Sequence, residues 1–250
     1  MKKNILVNLL VPGQAALRKK VKQLEEDLIE KERILSIISH DLRGPFQNII
    51  GFSEMMATEN FLPEDIRRYA CLINGQASSA YNLLDFLTDY FKAKKNQVIT
   101  SINLKEEVNN IIDFFKPSAC QKQIKISNFV AREIIIKTDL NALRAVIRNL
   151  ISNALKFTPS GRGIFISAIN ADGLLEISVT DSGNGIEKKR LEKIFFKLSS
   201  TPGTNREKGS GLGLFICREM AEEMGGKISV HSVLGKGATF TLTLPSNMVE

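Results

Sequence analysis

The sequence predicts a multidomain protein: an α-helical hairpin that forms a dimeric four-helix bundle, followed by an α+β sandwich. Three observations lead there. Apolar residues recur at heptad spacing from Leu17. Two long amphipathic stretches are separated only by the short turn Asn60-Phe61-Leu62-Pro63-Glu64-Asp65. After Lys92-Ala93-Lys94-Lys95-Asn96 the texture changes to helical patterns mixed with β-rich runs. At 250 residues, one or two domains are expected from about 150 residues per domain. Apolar residues at 43% and charged ones at 24% exclude wholesale disorder.

In the first stretch, Val21, Leu28, Leu35 and Leu42 hold one apolar position, and Leu17, Leu24, Lys31 and Ile38 the other. Spacings of four and three with charged flanks are the seam of a parallel coiled coil, and Lys31 is a polar insertion that fixes register. The alternative is a single amphipathic helix packed on its own domain. The helix is expected to be disturbed at Pro45 and to resume to about Glu59. Pro63 suits the start of a second helix, whose stripe is Ile66, Tyr69, Ile73, Ala80, Leu84, Leu87 and Phe91. Two such helices cannot bury both stripes alone. Pairing two hairpins into a four-helix bundle is the economical solution, so a homodimer is expected.

Further along, a helix is expected from Leu104 to about Cys120, with an early end at Pro117 as the alternative. Strands follow at 124–130 and 134–137, then a helix at 139–157. Runs at 164–169 and 174–180 flank Asp172-Gly173, a hairpin signal. A helix is expected at 187–196, then a Gly-bearing loop, a helix at 211–224, and strands at 227–232 and 238–244. There is no internal repeat. Mainly antiparallel strands mixed with helices make an α+β sandwich.

Composition narrows the partners. The excess of 34 basic over 27 acidic residues is spread along the chain and there is no Trp, so the net +7 is mild steering and no nucleic-acid partner is expected. Cys71, Cys120 and Cys217 have no metal spacing and cannot all pair, which fits a reducing cytoplasm. No run approaches the roughly 18 apolar residues of a membrane span. The opening Met1-Lys2-Lys3-Asn4 and Ile5 to Val11 imitate a signal peptide, but Asn8 breaks the apolar run.

Four motifs carry chemistry. Asn149, Asn153 and Lys156 share one helix face, opposite the apolar stripe Leu143, Ile147, Leu150 and Ala154. Amide oxygens can ligate Mg²⁺ and an ammonium can neutralise phosphate; alone, the same stripe reads as a solvated face. Asp181-Ser182-Gly183-Asn184-Gly185 follows a strand. Its carboxylate can accept from an exocyclic amine, and its glycines let backbone approach a flat ring. Gly209-Ser210-Gly211-Leu212-Gly213-Leu214 leads into a helix, which suits a phosphate. It is neither a Walker A motif nor a dinucleotide fingerprint. The fourth is Ser39-His40-Asp41-Leu42-Arg43. With Leu35, Ile38 and Leu42 toward the seam, His40 falls toward solvent. Arg43 shares its face, whereas adjacent helical residues such as Asp41 do not face it. His231 reads as structural, and Phe195-Phe196 as core.

In this order, the motifs resemble those of the sensor histidine kinases of two-component systems, over about Leu17 to Pro245. The resemblance implies a Bergerat (GHKL-type) ATP-binding domain at 97–250, after a leader at 1–16, a signalling coiled coil at 17–38 and a phosphotransfer hairpin at 39–96. It implies that His40 is phosphorylated from ATP, with Asp41 accepting the other ring proton and Arg43 meeting the incoming phosphate. Asn149 and Asn153 would hold Mg²⁺, Lys156 the phosphates and Asp181 the adenine amine. ATP contacts would further involve Gly183, Gly185, Ile186, Lys208, Gly209, Gly211, Leu212, Gly213 and Thr239, the last within the glycine motif Gly235-Lys236-Gly237-Ala238-Thr239. The implied partners are a second copy and the receiver domain of a separate response regulator, since no receiver domain follows Glu250. The residues before His40 are too few for a folded sensor. The implied location is the cytoplasm, including the cytoplasmic part of a membrane-associated sensor.

Departures from the family pattern are informative. Gly44 stands where many relatives carry Thr or Asn to orient a dephosphorylating water, so phosphatase activity is expected to be weak or absent. The segment Ile194 to Ser200 matches the usual Phe-containing box only in part, and Lys197, Arg206 or Lys208 would replace its missing basic residue. Two rival functions are an ATP-driven chaperone, mismatch-repair or anti-sigma-kinase machine, and a non-enzymatic dimeric scaffold. The first uses Glu where Asn149 stands, and an amide cannot take a proton. The intact set His40, Asn153 and Lys156 weighs against the second.

Overall fold

The computed structural model describes residues 2–58, 62–95, 99–195, 203–204 and 212–246. They fall into two compact units, residues 1–80 and 81–250. In the first unit, α1 (Lys2–Thr58) and the N-terminal part of α2 (Pro63–Lys95) form a helical hairpin. Asn48 Nδ2 donates to Gln76 Oε1 at 3.3 Å, and the rings of Phe52 and Tyr69 stand 5.8 Å apart, so the two helices run antiparallel. Pro63 is the first residue of α2, and the Leu62 carbonyl accepts from the amides of Asp65 and Ile66. Proline fits there because its missing N–H is one that no helix satisfies.

One expectation is corrected in this unit. α1 is continuous through Pro45, because a proline removes one rung of the hydrogen-bond ladder and leaves its neighbours in place. Residues 2–16 are helical and continuous with the heptad stretch from Leu17. The Lys31 side chain lies outside the described residues. Leu17, Val21, Leu24, Leu28 and Leu35 are exposed on the single chain.

The second unit holds, after the end of α2, the elements β1 (Ile99–Asn103), α3 (Leu104–Gln121), β2 (Lys125–Asn128), β3 (Ile135–Asp139), α4 (Leu140–Phe157), β4 (Gly163–Ala171), β5 (Leu174–Asp181), α5 (Lys188–Leu191), α6 (Leu212–Glu223), β6 (Lys227–Val233) and β7 (Gly237–Pro245). The main sheet runs in the order β2-β4-β5-β7-β6, with β2 parallel to β4 and the other pairs antiparallel. β1 pairs with β3 in a separate two-stranded sheet. Helices α3, α4 and α6 form the other layer.

The α4 stripe Leu143, Ile147 and Leu150 meets Ile164, Ile166, Leu175 and Ile177 of the sheet in a fully buried core. Asp139 caps α4, its Oδ1 accepting from the amides of Asn141 at 2.8 Å and Ala142 at 3.0 Å. A cap of this kind contributes about 1 kcal/mol. Arg144 of α4 forks onto Glu107 of α3, Nε to Oε1 at 2.6 Å and Nη2 to Oε2 at 3.1 Å. Asp172 and Gly173 both take positive φ, 54° and 77°, as the tight turn between β4 and β5 requires.

The last turns of α2 belong to this unit and lie on α4 and α6. Arg148 pairs with Asp85 and, at 3.3 Å, with Asp89, and its guanidinium stacks 4.3 Å from the Phe114 ring centroid. Lys94 pairs with Glu223, and the Tyr90 hydroxyl donates to Glu219 at 3.4 Å. Burial pushes the Asp89 carboxyl above the usual range, against the pull of Arg148.

Two further features differ from expectation. β1 was not anticipated, because Ile-Thr-Ser-Ile-Asn carries little apolar signal. α3 runs through Pro117 to Gln121, in agreement with the helix expected to about Cys120. The helix expected at 187–196 is only the short α5, followed by turns. Phe195 is buried against Phe240 as a core residue, while Phe196 lies outside the described residues. Among the described residues no helix is long and apolar enough to cross a membrane.

Candidate active site

In the first unit, the His40 imidazole projects into solvent, 86% exposed. Its Nδ1 lies 3.1 Å from Oδ1 of Asp41, whose side chain is only 13% exposed. Adjacency along a helix had argued against this contact; both side chains bend toward each other. With Nδ1 donating to a carboxylate, the lone pair of Nε2 points outward and is free to act as a nucleophile. The other Asp41 oxygen, Oδ2, is buried without a hydrogen-bond partner. Arg43 is exposed one turn on, and a methyl group built on Gly44 would meet nothing within 4 Å.

In the second unit, three elements converge. α4 contributes Asn149, Asn153 and Lys156. Asn153 Nδ2 donates to Asn149 Oδ1 at 2.9 Å, and the Lys156 ammonium lies 4.9 Å from the Phe157 ring centroid. The first turn of α6 brings Leu212, fully buried, and Gly213. A Cβ on Gly213 would fall 2.9 Å from both Cγ and Oδ1 of Asn149 and closer still to its Nδ2. The end of β5 contributes Asp181, which is 5% exposed and whose Oδ1 accepts from the Gly183 amide at 2.8 Å.

Burial pushes the Asp181 carboxyl above its ordinary range, against the lowering effect of backbone donors at Gly183 and Ala238. The glycines of this turn are also required by the packing of the chain itself. A Cβ on Gly183 would strike the Phe157 carbonyl and come 2.7 Å from Asp181 Oδ1, and one on Gly185 would strike the backbone of Val233. The chain crosses itself closely at both positions. Gly237, at φ +99°, presses likewise on the Asp181 carbonyl. Thr239 shares a hydroxyl contact of 3.0 Å with Thr180, one position before Asp181.

Ile186 is drawn to β6, its amide donating to Ser232 Oγ at 2.9 Å. There it lines an open groove of about 490 Å³ with Leu191, Val230 and Leu234. His231 lines the same groove from an exposed strand position. Lys208, Gly209 and Gly211, together with most of the segment 194–200 and Arg206, lie outside the described residues. Two residues that sequence reading missed, Lys122 and Thr204, hold the last turn of α4. Their signal is three-dimensional: three segments far apart in the chain meet at one set of carbonyls.

The donor set suits a metal carried by a polyphosphate. Two amides without a carboxylate are too weak for an all-protein cage, and Mg²⁺ keeps water and phosphate oxygens as its main ligands. Among the described residues no group of three His, Cys, Asp or Glu forms a separate metal site. The buried carboxylate of Asp181 suits a neutral amine donor, since a second charge would face the same burial cost.

Residues 138–248 match the family model of the histidine kinase-, DNA gyrase B-, and HSP90-like ATPase, and residues 30–96 that of the His Kinase A (phospho-acceptor) domain. The aerobic respiration control sensor protein ArcB of Escherichia coli is 32% identical over 88% of this chain and 29% of its own length. The histidine protein kinase DivJ of Caulobacter vibrioides is 32% identical over 86% of this chain and 37% of its own. The chain therefore spans only about a third of these relatives, and 19% of the sensor protein EvgS of Escherichia coli O157:H7, which is 29% identical over 89% of this chain. Among solved structures, the catalytic domain of the histidine kinase ThkA superposes with a TM-score of 0.53 at 28% identity, over 59% of this chain and 95% of that one. ThkA in complex with the response regulator protein TrrA shares the fold, with a TM-score of 0.64 at 24% identity, over 85% of this chain and 61% of that one. A phospho-acceptor hairpin bearing an exposed histidine, followed in one chain by an ATPase sandwich of this kind, makes the protein a member of the sensor histidine kinases of two-component systems.

Proposed function

We propose that this chain is an ATP-dependent protein-histidine kinase that phosphorylates His40 and passes the phosphoryl group to an Asp of a separate response regulator. The observation that carries this reading is the His40–Asp41 pair, a solvent-facing imidazole whose Nδ1 is engaged by a half-buried carboxylate. Nε2 attacks the γ-phosphorus of ATP, an N–P bond forms, and the bond to the β,γ-bridging oxygen breaks to release ADP. The proton on Nδ1 stays hydrogen-bonded to Asp41, which offsets the charge that develops on the ring. Arg43, exposed on the same face, meets the phosphoryl oxygens.

Asp181 accepts from the adenine amine, and Lys156 neutralises phosphate charge. Asn149 and Asn153 hold Mg²⁺ through amide oxygen, and Gly183, Gly185, Ile186, Lys208, Gly209, Gly211, Leu212, Gly213 and Thr239 complete the nucleotide site. When bound, Mg²⁺ spreads the charge of the phosphates. Such a reaction rests on positioning and electrostatics rather than covalent chemistry by the protein. In the fully formed enzyme, the exposed leucine and valine seam of α1 is covered by a second copy in a homodimer. The acceptor is a receiver domain, and the site of action is the cytoplasm.

The test is incubation of the purified chain with labelled ATP and Mg²⁺ beside His40→Gln. The expected product is an acid-labile, base-stable phosphoramidate that disappears in the variant. Acid-stable label, or phosphate release without labelled protein, would refute it.

A further inference from the structure

α4 ends at Phe157, and its last carbonyls have no partner within the helix. They are caught from two distant segments. Lys122, just past α3, donates from Nζ to the Leu155 carbonyl at 2.7 Å and to the Thr204 hydroxyl at 2.9 Å, and reaches the Lys156 carbonyl at 3.4 Å. Thr204 donates twice to the Lys156 carbonyl, from its amide at 3.0 Å and its hydroxyl at 3.1 Å. That hydroxyl also lies 3.4 Å from the Thr158 carbonyl.

The Lys156 carbonyl thus receives three donors, and the ammonium of Lys122 sits where the helix dipole favours a cation. The adjoining Phe157 carbonyl lies against Gly183, two residues beyond Asp181. Displacing this turn would therefore shift the Lys156 ammonium relative to the carboxylate of Asp181. The neighbouring Thr158 hydroxyl is fully buried without a hydrogen-bond partner, so its side chain adds no hydrogen bond to the hold on this turn.

We propose that Lys122 and Thr204 are positioning residues that fix the last turn of α4, and with it the Lys156 ammonium, for the phosphates of the nucleotide. This rests on the nucleotide reading of the site given above. A helix cap that serves only stability would leave ligand affinity unchanged, or weaken all ligands alike. A device that aims Lys156 weakens only ligands that carry phosphates.

The experiment titrates the full chain with ATP and with adenosine, in Mg²⁺. Thr204→Val should raise the Kd for ATP about fivefold, the equivalent of one net hydrogen bond, and leave adenosine unchanged. Thr204→Ser should restore the wild-type value, and Lys122→Met should act as Thr204→Val does. In a Lys156→Met background, Thr204→Val should no longer affect ATP, since the two act through one group. Equal weakening of ATP and adenosine, an undiminished effect in the Lys156→Met background, or no effect of Thr204→Val would overturn the proposal. A wild-type chain that binds neither ligand would overturn the nucleotide reading itself, and this inference with it.

Discussion

Replacing Gly213 with Ala separates stability from function. Gly213 lies in the first turn of α6 at an ordinary helical φ, so Ala there gains about 1 kcal/mol of helix propensity. The added methyl, however, falls 2.9 Å from Cγ and Oδ1 of Asn149, inside normal contact distance. The amide has to retreat by about 1 Å, which breaks its 2.9 Å hydrogen bond to Asn153 and costs about 1 kcal/mol. Gain and loss nearly cancel, so thermal unfolding of Gly213→Ala should match that of the wild type. A displacement of about 1 Å at a catalytic group can cost on the order of a hundredfold in rate. Autophosphorylation, measured as kcat/KM for ATP, should fall by about that factor, with most of the loss at the step that needs Mg²⁺. A variant that melts like the wild type and phosphorylates at the wild-type rate would refute the claim that Gly213 sets the position of the Asn149 amide.

Asp181→Asn should abolish binding of adenine nucleotides while stabilising the free protein. Because burial raises the folded-state pKa of this carboxyl, its contribution to stability is complete below the unfolded pKa. That contribution is lost as pH rises through the folded value. Denaturant unfolding of the wild type should therefore show a decline over the mildly acidic range that the Asn variant lacks; parallel profiles would contradict this. Gly44→Thr should raise the protein's phosphatase activity above that of the wild type, because the position has room for the side chain. Decay of the phosphorylated response regulator, followed with each protein, checks it, and equal decay rates would count against the assignment.

What could be read from sequence followed the strength of local signals. The α4 stripe of Leu143, Ile147 and Leu150 is purely local, and both the helix and its polar face with Asn149, Asn153 and Lys156 could be read directly. Asp172-Gly173 specified its hairpin because few other residues accept two successive positive φ values. β1 escaped notice because its register with β3 is set across the fold. Proline has less effect in α1 than its chemistry suggests. At Pro45 the helix continues despite one missing hydrogen bond, a balance that residue identity does not display. The His40–Asp41 contact depends on side-chain rotamers, and the Lys122–Thr204 clamp on contacts between distant segments, so neither has a signature in spacing.

The unbroken course of α1 has a mechanical meaning. With no coil between Lys2 and His40, the helix is a single shaft, and adjacent residues on it differ in direction by about 100°. A rotation of this shaft about its axis would re-aim every side chain on it, the His40 imidazole included. A stimulus that turned the rod would then be read as the angular setting of one side chain.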